Sequence, residues 1–498
     1  MNADHNHSHA RNRFAVIPTP QRLLSDPDVT GKGITIAFID AGFYPHPDLT
    51  QPENRIVAYV DVSNPEAVLD ADRAPESWDW HGTQTSVSAA GNGFLSNGIY
   101  RGLACHSRLV LVKVSDHGKI TEDNIARGFE WVLANQEPYN IRIISISLGG
   151  DEDVPYQTNR VDLLAEEAIR RGIVVVVAAG NSGCTNQHYP VPPATAPSVI
   201  TVGGYDDKNL LDPSELALYC SSFGPTADGF QKPEIIAPAI WIAAPILPKT
   251  TFFRKAEVLS EMTTVPDYEL PRSASQFKNE AELPDAILGE KPEVIRAYVE
   301  KEIRQAKVVA THYQHVDGTS FSAPIVASVV AQMLETNPHL TPALIKQILV
   351  TTADRLRNAP LIRQGYGMLN ANAALEAASH EMHMLQPQSL HAPHISDDKM
   401  TFFYHDDTAQ HVTLVGDFNN WNLEATPLTR QKEGIWRGNI PIPVAGLFRY
   451  KFVINGEKWV DDPTNPLKEP DNYGGFNSIL NVSQWEVSES GNHKNVGS

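Results

Sequence analysis

Between Gly31 and about Ala378, five continuous apolar runs of strand length alternate with amphipathic segments of helical period. The runs are ITIAFID from Ile34, RLVLVKV from Arg108, IISISLG from Ile143, IVVVVAAG from Ile173 and VITVGG from Val199. Unbroken apolarity, without the alternation of a half-wet strand, means that both faces of each strand are covered. The segments TEDNIARGFEWVLANQ and NRVDLLAEEAIRRG supply covering helices, the second closed by Gly172, where a left-handed cap costs little. This order predicts an α/β fold with a mainly parallel sheet sandwiched by helices, in which sites gather where strands end and loops begin. Two later helices are legible, one from about Thr319 to Glu335 and one from Pro342 after a Thr341 cap.

Two stretches break the alternation. Residues 247–314 are charged and contain prolines, with one helical stretch, KPEVIRAYVEKEIRQAKVV, and read as an insertion. After Ala378, HEMHMLQPQSLHAPHISDDK has no apolar period and reads as a linker over 381–399. The pattern then changes to period two in HVTLVGDF, WRGNIPI, FRYKFVI, EKWVDD and NSILNV, which predicts a small all-β, immunoglobulin-like sandwich at 400–484. A main domain at 31–380, an N-terminal extension at 1–30 and a loose tail at 485–498 complete the division, which suits a chain of 498 residues.

Composition narrows the function. Forty Lys and Arg against fifty-nine Asp and Glu leave a net charge of −19, which repels phosphate backbones and argues against nucleic acid as a partner. The longest apolar stretch, IVVVVAA, is far short of the roughly 20 residues of a membrane span. The start, MNADHNHSHARNR, lacks the apolar core of a signal peptide, so no membrane and a cytoplasmic location are expected; HNHSH reads as a solvated end rather than a metal site. Only Cys105, Cys184 and Cys220 occur, an odd set that reads as buried structural thiols in a reducing compartment.

Three motifs sit at the expected element ends. IDAGF places Asp40 at a strand tip, HGTQTS places His81 at a helix start, and GTSFSAP places Ser320 at another. A serine hydroxyl is a poor nucleophile until a base takes its proton, and the base needs an acceptor to fix its tautomer; Asp, His and Ser supply these parts. AAGNSG puts the Asn181 amide on a strand-end loop, where it could donate to a developing oxyanion.

These four motifs, in the order Asp, His, Asn, Ser, resemble the subtilisin-like serine proteases, or subtilases, and the short N-terminal extension is most similar to the intracellular type. The resemblance covers almost all of Gly31 to Ala378. It implies serine endopeptidase activity with Asp40, His81, Ser320 and Asn181 as catalytic residues. Ser147, Leu148, Gly149 and Gly150 of SLGG, with Ala179 and Gly180, would bind the substrate backbone. Ala41 stands where a Ser or Thr usually follows the aspartate, and Gln84 where a second His is common. The resemblance requires no cofactor and leaves one calcium site open, since Asp48 in HPDL matches a usual calcium-ligand position; the facing loop GNGFLSNGIYRG carries no carboxylate, and the remaining ligands cannot be read. The extended segment FAVIPTP is expected to lie across the cleft as an autoinhibitor, and the insertion beside it as a lid or exosite.

The C-terminal VGDFNNWN, RYKFVINGEKWVDDP and DNYGGFNSILNV resemble the glycogen-binding module of the AMP-activated kinase β-subunit and related early-set domains. By matched position Trp421 and Trp459 would stack on glucose rings, Lys451 and Asn477 would bond hydroxyls, and Tyr473 would reach into the glucan. Sugars present apolar ring faces edged by hydroxyls, which indole and amide groups meet. The expected partners are therefore protein or peptide substrates and an α-glucan such as glycogen. Two other readings stand beside this one: a catalytically silent scaffold that binds glycan or peptide, and a sandwich that is only a spacer.

Overall fold

The computed structural model describes residues 14–151, 154–380 and most of 394–482. It divides into two compact units, 1–385 and 386–498. The core of the first is a parallel sheet of β1 (Thr35–Asp40), β2 (Ile56–Asp61), β3 (Arg108–Lys113), β4 (Ile141–Ile146), β5 (Val174–Ala178), β6 (Ile200–Asp206) and β7 (Ile235–Pro238). Their order is β7-β6-β5-β4-β1-β3-β2, with short Ala217–Leu218 antiparallel to β6. Each apolar run of the sequence is one of these strands, and both faces are buried: Ile36 and Phe38 enter one apolar cluster, Ala37 and Ile39 the other.

Several helices start at side-chain caps. Helix α1 (Asp79–Ala90) follows a loop tied by Arg73 to Asp79 at 2.6 Å. In α2 (Glu122–Ala134) the Thr121 hydroxyl accepts from Asn124 N–H, and in α3 (Arg160–Arg170) Asn159 accepts from Val161 and Asp162 N–H. Helix α6 (Thr319–Thr336) is apolar nearly all round and accordingly runs buried through the centre of one layer. Helix α7 (Pro342–Thr351) starts at the expected Thr341 cap.

The insertion is a helical subdomain with its own core. It leaves from β8 (Ile242–Pro245), forms α4 (Thr251–Thr264) and α5 (Pro292–Gln305), and returns through β9 (Val308–Ala310) and β10 (Tyr313–Val316). Ala256, Leu259, Met262, Leu270, Ile295, Val299 and Ile303 pack together inside it. Gln314 already pairs with Ala244 across the β8–β10 ladder, so the excursion closes at about residue 312 rather than 314. Its stem stands on the His81 helix, where Gln84 donates to the Pro245 carbonyl at 3.0 Å.

Two expectations are corrected. Cys184 and Cys220 form a disulfide, and only Cys105 is a buried free thiol. Thirty-six residues separate the pair in sequence, but the loops after β5 and β6 meet, with Gly183 N–H donating to the Cys220 carbonyl at 2.9 Å. The second correction concerns the arm. Residues 1–13 lie outside the described residues; from Phe14 the chain docks on the β8–β10 stem and the loop after β6. Val16 is buried with Val309 and Tyr313, and Arg22 lies 2.7 Å from both oxygens of Asp207. None of these partners belongs to Ser147–Gly150.

The second unit is an antiparallel sandwich. One sheet orders His394–Ser396, Lys399–His405, Ile435–Pro441 and Thr429–Arg430; the other orders Val412–Gly416, Gly446–Ile454, Phe476–Val482 and Lys468–Pro470, with Lys458–Val460 on Gly446–Ile454. Strand pairing begins at His394, inside the stretch read as linker. Met400, Phe402, Leu414, Trp436, Tyr450 and Phe452 fill the space between the sheets. The tail read at 485–498 lies outside the described residues.

Candidate active site

Asp40 ends β1, the position where a parallel sheet exposes its chemistry, and its Oδ1 lies 2.6 Å from His81 Nδ1. His81 sits in the first turn of α1, 18% exposed, with the Trp80 ring edge-on at 5.2 Å. Burial pushes the His81 pKa down. The Asp40 carboxylate, by its charge and its hydrogen bond, more than offsets this and leaves it above the ordinary histidine value. Oδ1 of Asp40 also accepts from Ala41 N–H at 2.7 Å, and Oδ2 accepts from the Thr85 hydroxyl at 3.0 Å.

Ser320 is the second residue of α6, entered through Gly318, whose φ of +133° an L side chain rarely adopts. The ring of the next residue, Phe321, lies with its centroid 6.2 Å from that of the His81 ring. Pro324 lies four residues after Ser320 and has no N–H, so the Ser320 carbonyl loses its helical partner. The Ser147 hydroxyl donates to that carbonyl at 2.8 Å and ties the end of β4 to the helix. Asn181 is oriented just as firmly: its Oδ1 accepts from Thr319 N–H at 2.9 Å and from the Thr319 hydroxyl at 3.1 Å, which leaves the Nδ2 hydrogens to donate. Gly180 N–H donates to the same hydroxyl at 3.1 Å. The structure thus brings Asp40 to His81, and Ser147, Gly180 and Asn181 to the Thr319–Ser320 turn.

The rest of the expected substrate edge is bare backbone. Leu148 packs inward, whereas a side chain at Gly149 would strike Val191 and one at Gly150 would strike the Glu122 carboxylate. Ala179 N–H bonds the Val202 carbonyl at 2.9 Å, which seats the Ala179–Gly180 wall.

Calcium does not fit at Asp48. Its Oδ1 accepts from Leu95 N–H at 3.0 Å, its Oδ2 from the Tyr313 hydroxyl at 2.6 Å, and its carbonyl from Arg55 at 2.7 Å. Burial, with the Asp48 charge beside it, pushes the Tyr313 pKa far up, so the phenol keeps the proton it donates. Neighbouring His46 is pushed by burial down to about 4 and stays neutral. Among the described residues no cluster of three acidic, His or Cys side chains could hold a metal.

In the second unit Trp421 and Trp459 stack with ring centroids 6.4 Å apart, and Trp459 is 45% exposed. Trp421 is held by a 2.9 Å bond from its indole N–H to Asp417. Tyr450 pairs with Ser478, which puts the next residue, Lys451, beside Asn477 on the neighbouring strand. Lys451 is ion-paired with Asp471, whose other oxygen accepts from Tyr473 and Gly475 N–H, so this pair shapes the loop that leaves Tyr473 almost fully exposed. Asp417, Asp471 and Thr85 were not among the residues singled out from the sequence. All three stand within the quoted motifs HGTQTS, VGDFNNWN and DNYGGFNSILNV, and Thr85 falls one helical turn after His81.

Residues 31–367 match the subtilase family model. The chain belongs to the subtilase family, the subtilisin-like serine proteases. Serine protease AprX from Bacillus subtilis (strain 168) is 33% identical over 352 residues, 69% of this chain and 66% of AprX. The major intracellular serine protease of the same strain is 32% identical over 182 residues, 35% of this chain and 52% of that protein. Subtilisin BL from Lederbergia lenta is 23% identical over 348 residues, covering 70% of this chain and 92% of the relative. The subtilase chain thus spans just under two thirds of AprX. Residues 391–470 match carbohydrate-binding module 48, the isoamylase N-terminal domain, so a carbohydrate-binding module follows the subtilase unit.

Proposed function

We propose that this subtilase is a serine endopeptidase that cleaves through an acyl-enzyme on Ser320 and is carried to α-glucan by its C-terminal module. The observation that carries the reading is the 2.6 Å Asp40–His81 contact next to a helix start at which Thr319 aligns Asn181. His81 takes the Ser320 proton and later gives it to the leaving amine, and Asp40 holds the imidazole in the tautomer with hydrogen on Nδ1. Asn181 Nδ2 and the Ser320 N–H stabilise the oxyanion, and substrate backbone lies along Ser147–Gly150 and Ala179–Gly180. Hydrolysis of casein or a peptide by wild type and not by Ser320→Ala tests it. A silent scaffold would bind peptide or glycan without turnover and would not react with a fluorophosphonate.

Glycogen targeting is supported by the stacked Trp421–Trp459 pair, of which Trp459 is exposed, and by Tyr473, almost fully exposed on the loop that the Lys451–Asp471 ion pair holds. A cytoplasmic site of action is supported by the likeness to a major intracellular serine protease and opposed by the Cys184–Cys220 disulfide, since disulfides last in oxidising compartments. Cell fractionation decides it. Among the described residues no helix is long and apolar enough to cross a membrane.

The enzyme works without calcium at Asp48, its Tyr313 hydroxyl standing in for a cation. Chelation by EDTA is expected to leave Tm and activity unchanged. Tyr313→Phe leaves a buried carboxylate oxygen without its donor, costing about 1–3 kcal/mol and several degrees of Tm. A Tm that falls on chelation contradicts this account.

The insertion restricts which proteins enter. Its stem stands on the His81 helix and its last strand ends at Val316, just before the Ser320 turn, and Lys249 at its start bonds the Ala71 and Asp72 carbonyls of the loop before α1. Replacing residues 247–311 by a short Gly-containing turn is expected to raise cleavage of folded proteins relative to small peptides. An unchanged ratio excludes a lid or exosite.

A further inference from the structure

Ala41 offers Asp40 a backbone N–H but no hydroxyl, so the carboxylate needs another donor for its second oxygen. That donor comes from the helix that carries His81. Thr85 lies four residues after His81, one turn along the same face, and its hydroxyl reaches Asp40 Oδ2 at 3.0 Å. Both side chains are buried, Asp40 at 1% and Thr85 at 2% exposure, so no bulk water competes. The same hydroxyl lies 3.1 Å from the Gly82 carbonyl, but it has one hydrogen, and an ionised carboxylate is the stronger acceptor. One helix therefore grips both oxygens of Asp40, Oδ1 through His81 Nδ1 and Oδ2 through Thr85.

We propose that Thr85 is a positioning residue for catalysis, its hydroxyl locking the Asp40 carboxylate so that Oδ1 stays on the His81 Nδ1 hydrogen. It rests on the reading of Asp40, His81 and Ser320 as a triad. With the lock removed, the carboxylate can turn about its Cβ–Cγ bond and its hold on the imidazolium weakens. Burial, which disfavours the imidazolium, then weighs more, and the base becomes weaker and worse aligned.

The test compares the full chain with Thr85→Val, which keeps the shape and loses the hydroxyl, and Thr85→Ser, which keeps the hydroxyl. Thr85→Val is expected to lower kcat about tenfold on a small peptide with KM unchanged, and to move the acidic limb of kcat/KM to lower pH. Thr85→Ser restores both. In the Ser320→Ala background, which cannot digest itself, the His81 ring proton followed by NMR should titrate at lower pH in Thr85→Val than in the parent. If Thr85→Val does not fold, Thr85→Ala against Thr85→Ser makes the same comparison. A limb and a His81 titration that stay in place or move up overturn the proposal, even where kcat or Tm falls, because a purely structural threonine would lower those alone. Wild type that neither hydrolyses peptide nor takes up a fluorophosphonate defeats the protease reading instead, and the NMR titration still judges the lock.

Discussion

Ser320→Ala is expected to remove peptide hydrolysis almost entirely, by about 10⁶-fold in kcat, the size found for the nucleophile of subtilisin. Asn181→Ala is expected to cost 10²–10³-fold in kcat, again the size found for the oxyanion donor of subtilisin, with little change in KM. The difference in scale follows from the roles. In the proposed mechanism no acyl-enzyme forms without Ser320, whereas without Asn181 the Ser320 N–H still faces the oxyanion. Because Thr319 pins Asn181 Oδ1, the amide is already turned toward the site before substrate arrives, and Asn181→Asp would present a charge of the wrong sign there. Activity should rise with pH through a value above the ordinary histidine pKa, since His81 must be neutral to act and Asp40 holds it protonated longer. Steady-state kinetics of the two variants and a pH profile of the wild type check these expectations; equal losses in kcat for both variants would separate Asn181 from its assigned role.

The second large effect concerns the sandwich. Full-length Ser320→Ala protein is expected to co-sediment with glycogen, and the double variant Trp421→Ala, Trp459→Ala to remain in the supernatant. Each stacking contact is worth about 1 kcal/mol beyond the area it buries, so losing two weakens binding by roughly 30-fold or more. The pair is preorganised, because Asp417 holds the Trp421 indole before any sugar arrives. With binding intact, proteins on the same particle should be cut faster than free ones through effective concentration. A wild-type chain that stays soluble makes the module a spacer or protein-docking domain and leaves the protease assignment untouched.

Much of this was legible in the residues, for identifiable reasons. Strands β1, β3, β4, β5 and β6 announce themselves as apolar runs because burial on both faces permits nothing else. The Thr121, Asn159 and Thr341 caps carry their helix starts with them. Asp40, His81, Asn181 and Ser320 stand in short motifs at element ends, so their placement follows once the sheet is drawn. Contacts between segments distant in sequence were not legible. Nothing in the local sequence pairs Cys184 with Cys220, docks Arg22 on Asp207, or brings Tyr313 265 residues along the chain to Asp48. Ser147 shows both sides: its motif marks it as part of the substrate edge, but its bond to the Ser320 carbonyl makes sense only when Pro324 is seen to withhold a donor. The partners of Asp48 were hidden for a related reason, since the hydroxyl that bonds it is found on another element.

In the proposed function Ser320 is a nucleophile activated by His81 and Asp40. Reacting the full-length chain with a fluorophosphonate and locating the adduct by peptide mass spectrometry tests it most directly. A single adduct on Ser320 is expected, absent in Ser320→Ala and strongly slowed in His81→Ala. A wild-type chain that stays unmodified, or carries the adduct on another residue, contradicts it.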